Sequence, residues 1–257
     1  RLMDPATLGG IALAFGMVLL SIFLEGSSPM SVVMPAPMIL VIGGTLGAGL
    51  ASGTLRDAIR AWTGLGHWMA FKSPDADATV ETIVGLADKA RREGLLSLEE
   101  AARGVDDEFL RAGLQAAIDG TDPDDLRDML EDKIATKRAG DKVSSKYFMT
   151  MGGYAPTIGI IGTVVSLVSV LGNLDEPSEI GHMIAGAFVA TLWGLLSANM
   201  IWLPIGSRIA RCSDLEAQHM ELTVEGLLAI QAGANPRLVG QRLRSLLPPG
   251  ESKEKAA

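Results

Sequence analysis

Two long stretches of this 257-residue chain contain no lysine or arginine, and no other feature limits its fold as strongly. After Arg1 the next such residue is Arg56, and after Lys146 the next is Arg208. Both stretches are mostly apolar, and each is long enough for two membrane-spanning helices at ~20 residues apiece. The first pair is expected from about Ala6 to Leu24 and from about Val32 to Ala51. The second is expected from about Phe148 to Leu171 and from about Ile180 to Ile201. Buried hairpins of a large soluble protein are the alternative, but soluble helices rarely avoid basic residues over such lengths. Composition agrees with membrane spans. Hydrophobic residues make up 48% of the chain and the mean hydropathy is +0.29, more apolar than an ordinary soluble domain. The 20% of charged residues then require a separate water-facing part.

The turns within each pair set the topology. Glu25-Gly26-Ser27-Ser28-Pro29 and the stretch from Asn173 to Glu179 carry no Lys or Arg. By the positive-inside rule both turns lie outside the cytoplasm, and the segment from Arg56 to Lys146 and the tail from Arg208 lie inside. Both termini are then cytoplasmic. No basic cluster or cleavage site flanks the first apolar run, so it is expected to be a retained span and not a signal peptide. The expected fold is an all-α polytopic membrane protein with four transmembrane helices and a helical cytoplasmic domain. Its segments are a first transmembrane hairpin (1–53), a cytoplasmic helical domain (54–147), a second transmembrane hairpin (148–207), and cytoplasmic C-terminal helices with a tail (208–257).

Helix signals fill the cytoplasmic segments. Thr54-Leu55-Arg56-Asp57 reads as a capping box opening a helix toward Phe71, and Ser97-Leu98-Glu99-Glu100 as a second box. A helix from about Ala78 to Glu93 is closed by Gly94, and another covers about Asp107 to Ile118. Asp122-Pro123 has the pattern of an N-cap followed by an N1 proline. With no strong stop before Phe148, that helix is expected to run on into the third span. The fourth span likewise continues without a breaker to Gly233. Asn235-Pro236 starts a short last helix, Pro248-Pro249-Gly250 ends it, and Glu251 to Ala257 reads as a frayed tail.

Several function classes drop out. A net charge of -8 argues against a nucleic-acid partner. Cys212 is the single cysteine, so neither a disulfide framework nor a cysteine metal site is expected. His67, His182 and His219 are far apart, and no phosphate-binding loop, zinc-protease motif or nucleophile elbow occurs. An enzyme, a resident cofactor and a bound metal are all unexpected.

The second hairpin carries the informative residues. In the third span Gly152, Pro156, Gly159, Thr163 and Ser166 share a face at helical spacing, with Gly162 nearby. In the fourth, Gly186, Ala190, Gly194 and Ser197 form a stripe beside Thr191. Small stripes let helix backbones approach closely in lipid, so these faces are expected to pack around a partner helix, although ordinary helix packing also accounts for them. Pro156 and Pro204 each remove a backbone bond within a helix, giving either a static kink or a hinge beside an ion pathway. No Asp, Glu, Lys, Arg or His lies between Phe148 and Leu171 or between Ala185 and Ser207. Proton movement through a bilayer needs a titrating group, so a partner must supply it. The polar groups available here are the hydroxyls of Thr163, Ser166 and Thr191, which either serve an ion or bond back to their own helices.

These features resemble the MotA/PomA family of flagellar motor stator subunits, within the wider group of TolQ and ExbB proton channels. Tyr154-Ala155-Pro156 through Gly159, Gly162 and Thr163 is similar to the third-span motif, Thr191 with Pro204 to the fourth-span motif, and Arg91 through Glu99 to the rotor-contact motif. The resemblance spans nearly the whole chain. It implies a homo-oligomer, expected to be a pentamer, around single-span MotB-type (PomB-type) subunits that carry a membrane Asp, in the bacterial inner membrane. It further implies that proton or sodium passage drives torque on the rotor protein FliG, with Pro156 and Pro204 as functional prolines and Arg91 and Glu99 at the rotor contact. Thr163 and Thr191, with a carbonyl freed near Pro156, would suit sodium. The competing readings are a TolQ/ExbB-type energiser of envelope transport and a non-conducting membrane scaffold.

Overall fold

A computed structural model describes residues 5–175 and 177–247. The Pro248-Pro249-Gly250 stop, the Glu251–Ala257 tail and Glu176 of the second turn lie outside the described residues. Those that are described form helices and turns without a strand. The helices are α1 (Pro5–Leu24), α2 (Pro35–Ala51), α3 (Leu55–Met69), α4 (Ala76–Glu93), α5 (Leu98–Arg103), α6 (Glu108–Ile118), α7 (Pro123–Gly172), α8 (Pro177–Ser197), α9 (Leu203–Gln231) and α10 (Pro236–Ser245). α1, the latter part of α7 and the run from α8 into α9 are long and apolar enough to cross a membrane, whereas α2 is a shorter apolar helix of 17 residues. The second span starts later than expected, because Pro29–Val32 forms a 3-10 turn capped by Ser28 before Pro35 opens α2.

The chain divides into two compact units that cut across the sequence segments: 1–72 with 141–212, and 73–140 with 213–257. α3 therefore groups with the membrane helices and not with the cytoplasmic segment to which its arginines pointed. Its capping box forms as expected, with Thr54 and Asp57 each bonding the other's backbone N–H. Ala58, Ala61 and Trp68 are buried on one face, and Trp62 meets Phe148 and Trp202 edge-on. Within the same unit, α2 lies so close to α7 that a Cβ on Gly49 would fall 2.7 Å from Met151 Cγ. The indole N–H of Trp193 in α8 donates to the Val32 carbonyl at 2.7 Å and ties that helix to the first hairpin's turn.

The second unit is built on an apolar core. α4 supplies Val80, Ile83 and Ala87, α6 supplies Leu110 and Leu114, and α7 supplies Leu126 and Leu130. α9 adds Leu227 and Ile230, and α10 adds Leu243. Glu225 of α9 pairs with Arg127 of α7 at 2.9 Å and with Arg242 of α10 at 2.7 Å. Gly94 ends α4 with φ +83°, a conformation that favours glycine, as expected. The second capping box does not form. Ser97 is helical itself and its hydroxyl donates to the Gly94 carbonyl, because a 3-10 turn over Leu95–Ser97 precedes α5.

Asp107 caps α6, accepting from the Phe109 and Leu110 amides at 2.8 and 3.0 Å, and lies 3.3 Å from Nε2 of His219. The His219 contact, opposed by burial and aided by the two amides, holds this carboxyl below its ordinary value of 3.8. Its folded value lies below its unfolded one. The stabilisation is therefore complete above the unfolded value and is lost as pH falls through the folded value. Asp107→Ala should lower stability by about 1 kcal/mol at neutral pH. Thermal scans of the purified chain should show the gap from wild type shrinking in acid below about pH 4. A gap that stays constant on acidification would assign the loss to packing instead.

Candidate ion-pathway site

The second hairpin packs α7 against α8 in antiparallel register through the small residues singled out above. At mid-hairpin, a Cβ on Gly159 would lie 2.9 Å from the Ala190 carbonyl oxygen, and one on Gly194 would lie 2.8 Å from that of Ala155. Nearer the turn, Gly162 faces Ala190 and Leu40, while Gly186 faces Ser166, Met34 and Pro37. At the other end, Gly152 faces Leu203, and Gly206 faces Met149 and the Ser145 carbonyl. The Ser145 hydroxyl also donates to the Gly206 carbonyl at 2.7 Å. These contacts are the ordinary helix packing that the sequence allowed for Gly152, Gly159, Gly162, Gly186, Ala190 and Gly194 beside packing around a partner. They join helices of one and the same chain, because only a residue without a large side chain lets α7 and α8 backbones touch. The face of α7 turned away from them exposes Ile160, Ile161, Val164 and Val168.

Two hydroxyls meet within this packing. Thr163 Oγ1 lies 2.6 Å from Thr191 Oγ1. Thr163 also reaches the carbonyl oxygens of Gly159 at 3.1 Å and Ala187 at 3.2 Å, and Thr191 reaches that of Ala187 at 3.4 Å. Four oxygens from two helices thus converge where the chain has no ionisable side chain. A hydroxyl has one proton to donate and can still accept. The pair can therefore relay a hydrogen bond to a water or bind a cation's coordination shell, yet it cannot store a proton's charge. Bonding back to the helix, one of the two roles the sequence allowed, occurs together with pairing across the hairpin. Ser166 faces Gly186 outside this cluster.

Pro156 sits inside the 50-residue α7, and the carbonyl it leaves without an amide partner belongs to Gly152, four residues earlier. Gly152 precedes Thr163 by a rise of ~16 Å along the helix. The freed carbonyl therefore cannot join the threonine oxygens in one cage, which differs from the sodium arrangement expected from the sequence. Pro204 is reached through a π-helical segment, Ala198–Trp202, where the Leu203 amide donates to the Ala198 carbonyl. Such bulges occur at irregular, often functional, points of a helix and absorb the register change that a proline imposes. The sequence contained the proline but no sign of the π segment. It also missed Ser145, Gly206 and Trp62, whose importance lies in what they touch.

Arg91 and Glu99 belong to the second unit, whereas Thr163 and Thr191 belong to the first. Arg91 is exposed in the last turn of α4. Glu99, in the first turn of α5, pairs with Arg103 at 3.0 Å on an open surface.

Comparison with known proteins bears on this arrangement. The profile of the MotA/TolQ/ExbB proton channel family matches residues 101–222. Motility protein A of Bacillus subtilis (strain 168) is 33% identical over 250 residues, covering 96% of this chain and 92% of that protein. Chemotaxis protein PomA of Vibrio alginolyticus is 34% identical over 249 residues, covering 97% of each chain. A chain in the flagellar MotAB stator complex from Bacillus subtilis superposes with a TM-score of 0.88 at 31% identity, covering 94% of this chain and 95% of that one. A chain in the C. jejuni MotAB structure has the same fold, with a TM-score of 0.92 at 24% identity over 98% of this chain and 100% of that one.

Proposed function

The chain belongs to the MotA/TolQ/ExbB proton channel family and is a flagellar motor stator subunit, and from that premise we propose that its second hairpin couples proton or sodium flow to torque. One observation carries the proposal. The Thr163–Thr191 hydroxyl pair, 2.6 Å apart, sits in a hairpin that has ion-binding oxygens but no charge of its own. Such a site can pass an ion and cannot hold it, so the charge-bearing carboxylate comes from a second subunit. We assign that role to a single-span MotB-type subunit, the partner present in the MotAB complexes.

Assembly follows from the surfaces left over. The glycine stripes are occupied within the chain, so the exposed apolar face of α7 is the one offered to the partner helix and to neighbouring copies. A ring of copies, a pentamer by the family resemblance, would enclose the partner's carboxylates. The positive-inside rule puts both termini and the second unit in the cytoplasm. There Arg91 and Glu99 are the charges proposed to meet FliG. Exposed pairs contribute only ~0.2–1 kcal/mol each, so many weak contacts and not one strong bond would transmit the force.

Pro204 and its π segment supply the movable joint at the end of the pathway. In cells lacking their own stator subunits, this chain expressed with its partner should restore flagellar rotation. Pro204→Ala should reach the membrane and co-purify with the partner at wild-type levels, yet produce no measurable torque on a tethered cell. Normal rotation with Pro204→Ala would remove the joint from the mechanism. Absence of rotation with the wild-type pair would remove the stator assignment itself.

A further inference from the structure

The helix α3 has three faces, and one of them is apolar yet stays largely exposed. At 100° per residue, Ala58, Ala61, Leu65 and Trp68 point to one side, and Ala58, Ala61 and Trp68 are buried there. Leu55, Ile59 and Trp62 form a second, apolar stripe that stays 69%, 55% and 40% exposed. Arg56, Arg60, Thr63 and His67 form a third stripe beside it, all exposed. The helix's one acid, Asp57, is engaged by Thr54 in the capping box at its own N-terminus. An exposed apolar stripe flanked by a basic one is the pattern of a helix lying in a membrane interface.

The contacts of α3 fix where along the spans it lies. It begins a few residues after α2 ends at Ala51. Its middle residue Trp62 donates from its indole N–H to the Tyr147 hydroxyl at 3.3 Å and packs on Phe148 and Trp202. Its C-terminal carbonyls are met by Arg208, which donates to Trp68 O at 3.0 Å and to Thr7 Oγ1 of α1 at 2.8 Å. Thr7, Ala51, Phe148 and Trp202 all lie near the ends of apolar runs, where Arg56, Lys146 and Arg208 resume the charged sequence. The helix therefore crosses the ends of the spans at the membrane's cytoplasmic boundary.

We propose that α3 is a lipid-binding element. Leu55, Ile59 and Trp62 face the acyl region of the inner leaflet, and Arg56 and Arg60 bind the headgroups of anionic phospholipid. Charge complementarity favours this occupant over a second copy of the chain, because the basic stripe would need an acidic match and the apolar stripe would lose its continuity with the lipid around α2. Trp62 joins this lipid seat directly to Trp202, within the π segment that precedes Pro204.

The test uses tryptophan quenching by brominated lipid, with the full-length chain reconstituted in nanodiscs. The Trp62 contribution is the difference between wild type and Trp62→Phe. Brominated phosphatidylglycerol should quench it at a mole fraction at least about fivefold lower than brominated phosphatidylcholine does, the effect of one arginine near an anionic surface. Arg56→Gln with Arg60→Gln should make the two lipids equivalent, and Arg56→Lys with Arg60→Lys should keep the preference. Both arginines are exposed, so their variants should fold as wild type does, and the difference in total tryptophan quenching between the two lipids can be compared across them even where Trp62→Phe fails to fold. Equal quenching by the two lipids in the wild-type chain overturns headgroup recognition. Absence of lipid quenching at Trp62 overturns the proposal in favour of a protein, such as a second copy, covering the face.

Discussion

A single added methyl group at Gly159 or at Gly194 is expected to prevent the second hairpin from closing. Both Cβ positions fall on backbone atoms: the Ala190 carbonyl oxygen at 2.9 Å and the Gly194 Cα at 3.3 Å for Gly159, and the Ala155 carbonyl oxygen at 2.8 Å and the Gly159 Cα at 3.1 Å for Gly194. A flexible side chain could swing aside, but two helix backbones cannot, so α7 and α8 must separate along much of their length. Overpacking of this kind costs roughly 1–3 kcal/mol, and separation would also pull Thr163 from Thr191. Gly153 is a neighbour on α7 with nothing within 4 Å of its Cβ position. Gly153→Ala therefore controls for the loss of glycine itself. The measurement is the amount of chain in the membrane fraction together with its thermal midpoint in detergent. Gly159→Ala and Gly194→Ala should lower both, and Gly153→Ala should change neither. Wild-type behaviour in all three would mean that the spans do not meet at these glycines.

The features that the sequence revealed are those written within one helix or one run. The absence of Lys and Arg located the spans, because charge in lipid is excluded residue by residue. The Thr54–Asp57 box, Pro123 at the head of α7 and the stops at Gly94 and Gly233 were readable, because caps are set by a few adjacent residues. Ser97 misled because its capping motif competes with a 3-10 turn that the motif does not encode. What a face packs against is a property of two helices. The glycine stripes announced close approach but could not name α8 as the helix approached. Likewise Arg56 placed the segment that holds α3 in the cytoplasm, and nothing in that segment named what the helix would pack against. That its buried face lies among membrane helices follows from Tyr147, Phe148 and Trp202, far away in sequence. The hydroxyl pair was half legible. Thr163 and Thr191 stood out as polar groups in apolar spans, but their contact depends on the register of α7 against α8.

That contact is where the second large effect is expected. Replacing either threonine by valine keeps the side chain's shape and removes its hydroxyl. The Gly159 and Ala187 carbonyls lie in the helical backbone of α7 and α8, so assembly should survive. The passing ion or its water, however, loses an oxygen in a region with no charged substitute. Leaving such a polar group without its partner costs roughly 1–3 kcal/mol, or about fivefold to a hundredfold in the rate of ion passage.

Ion flux through proteoliposomes holding this chain with a MotB-type partner measures that step without the rotor. The wild-type complex should conduct, and Thr163→Val and Thr191→Val should each reduce flux by about fivefold to a hundredfold while co-purifying with the partner as wild type does. Undiminished flux through an intact complex carrying both substitutions would contradict an ion step at the hydroxyl pair.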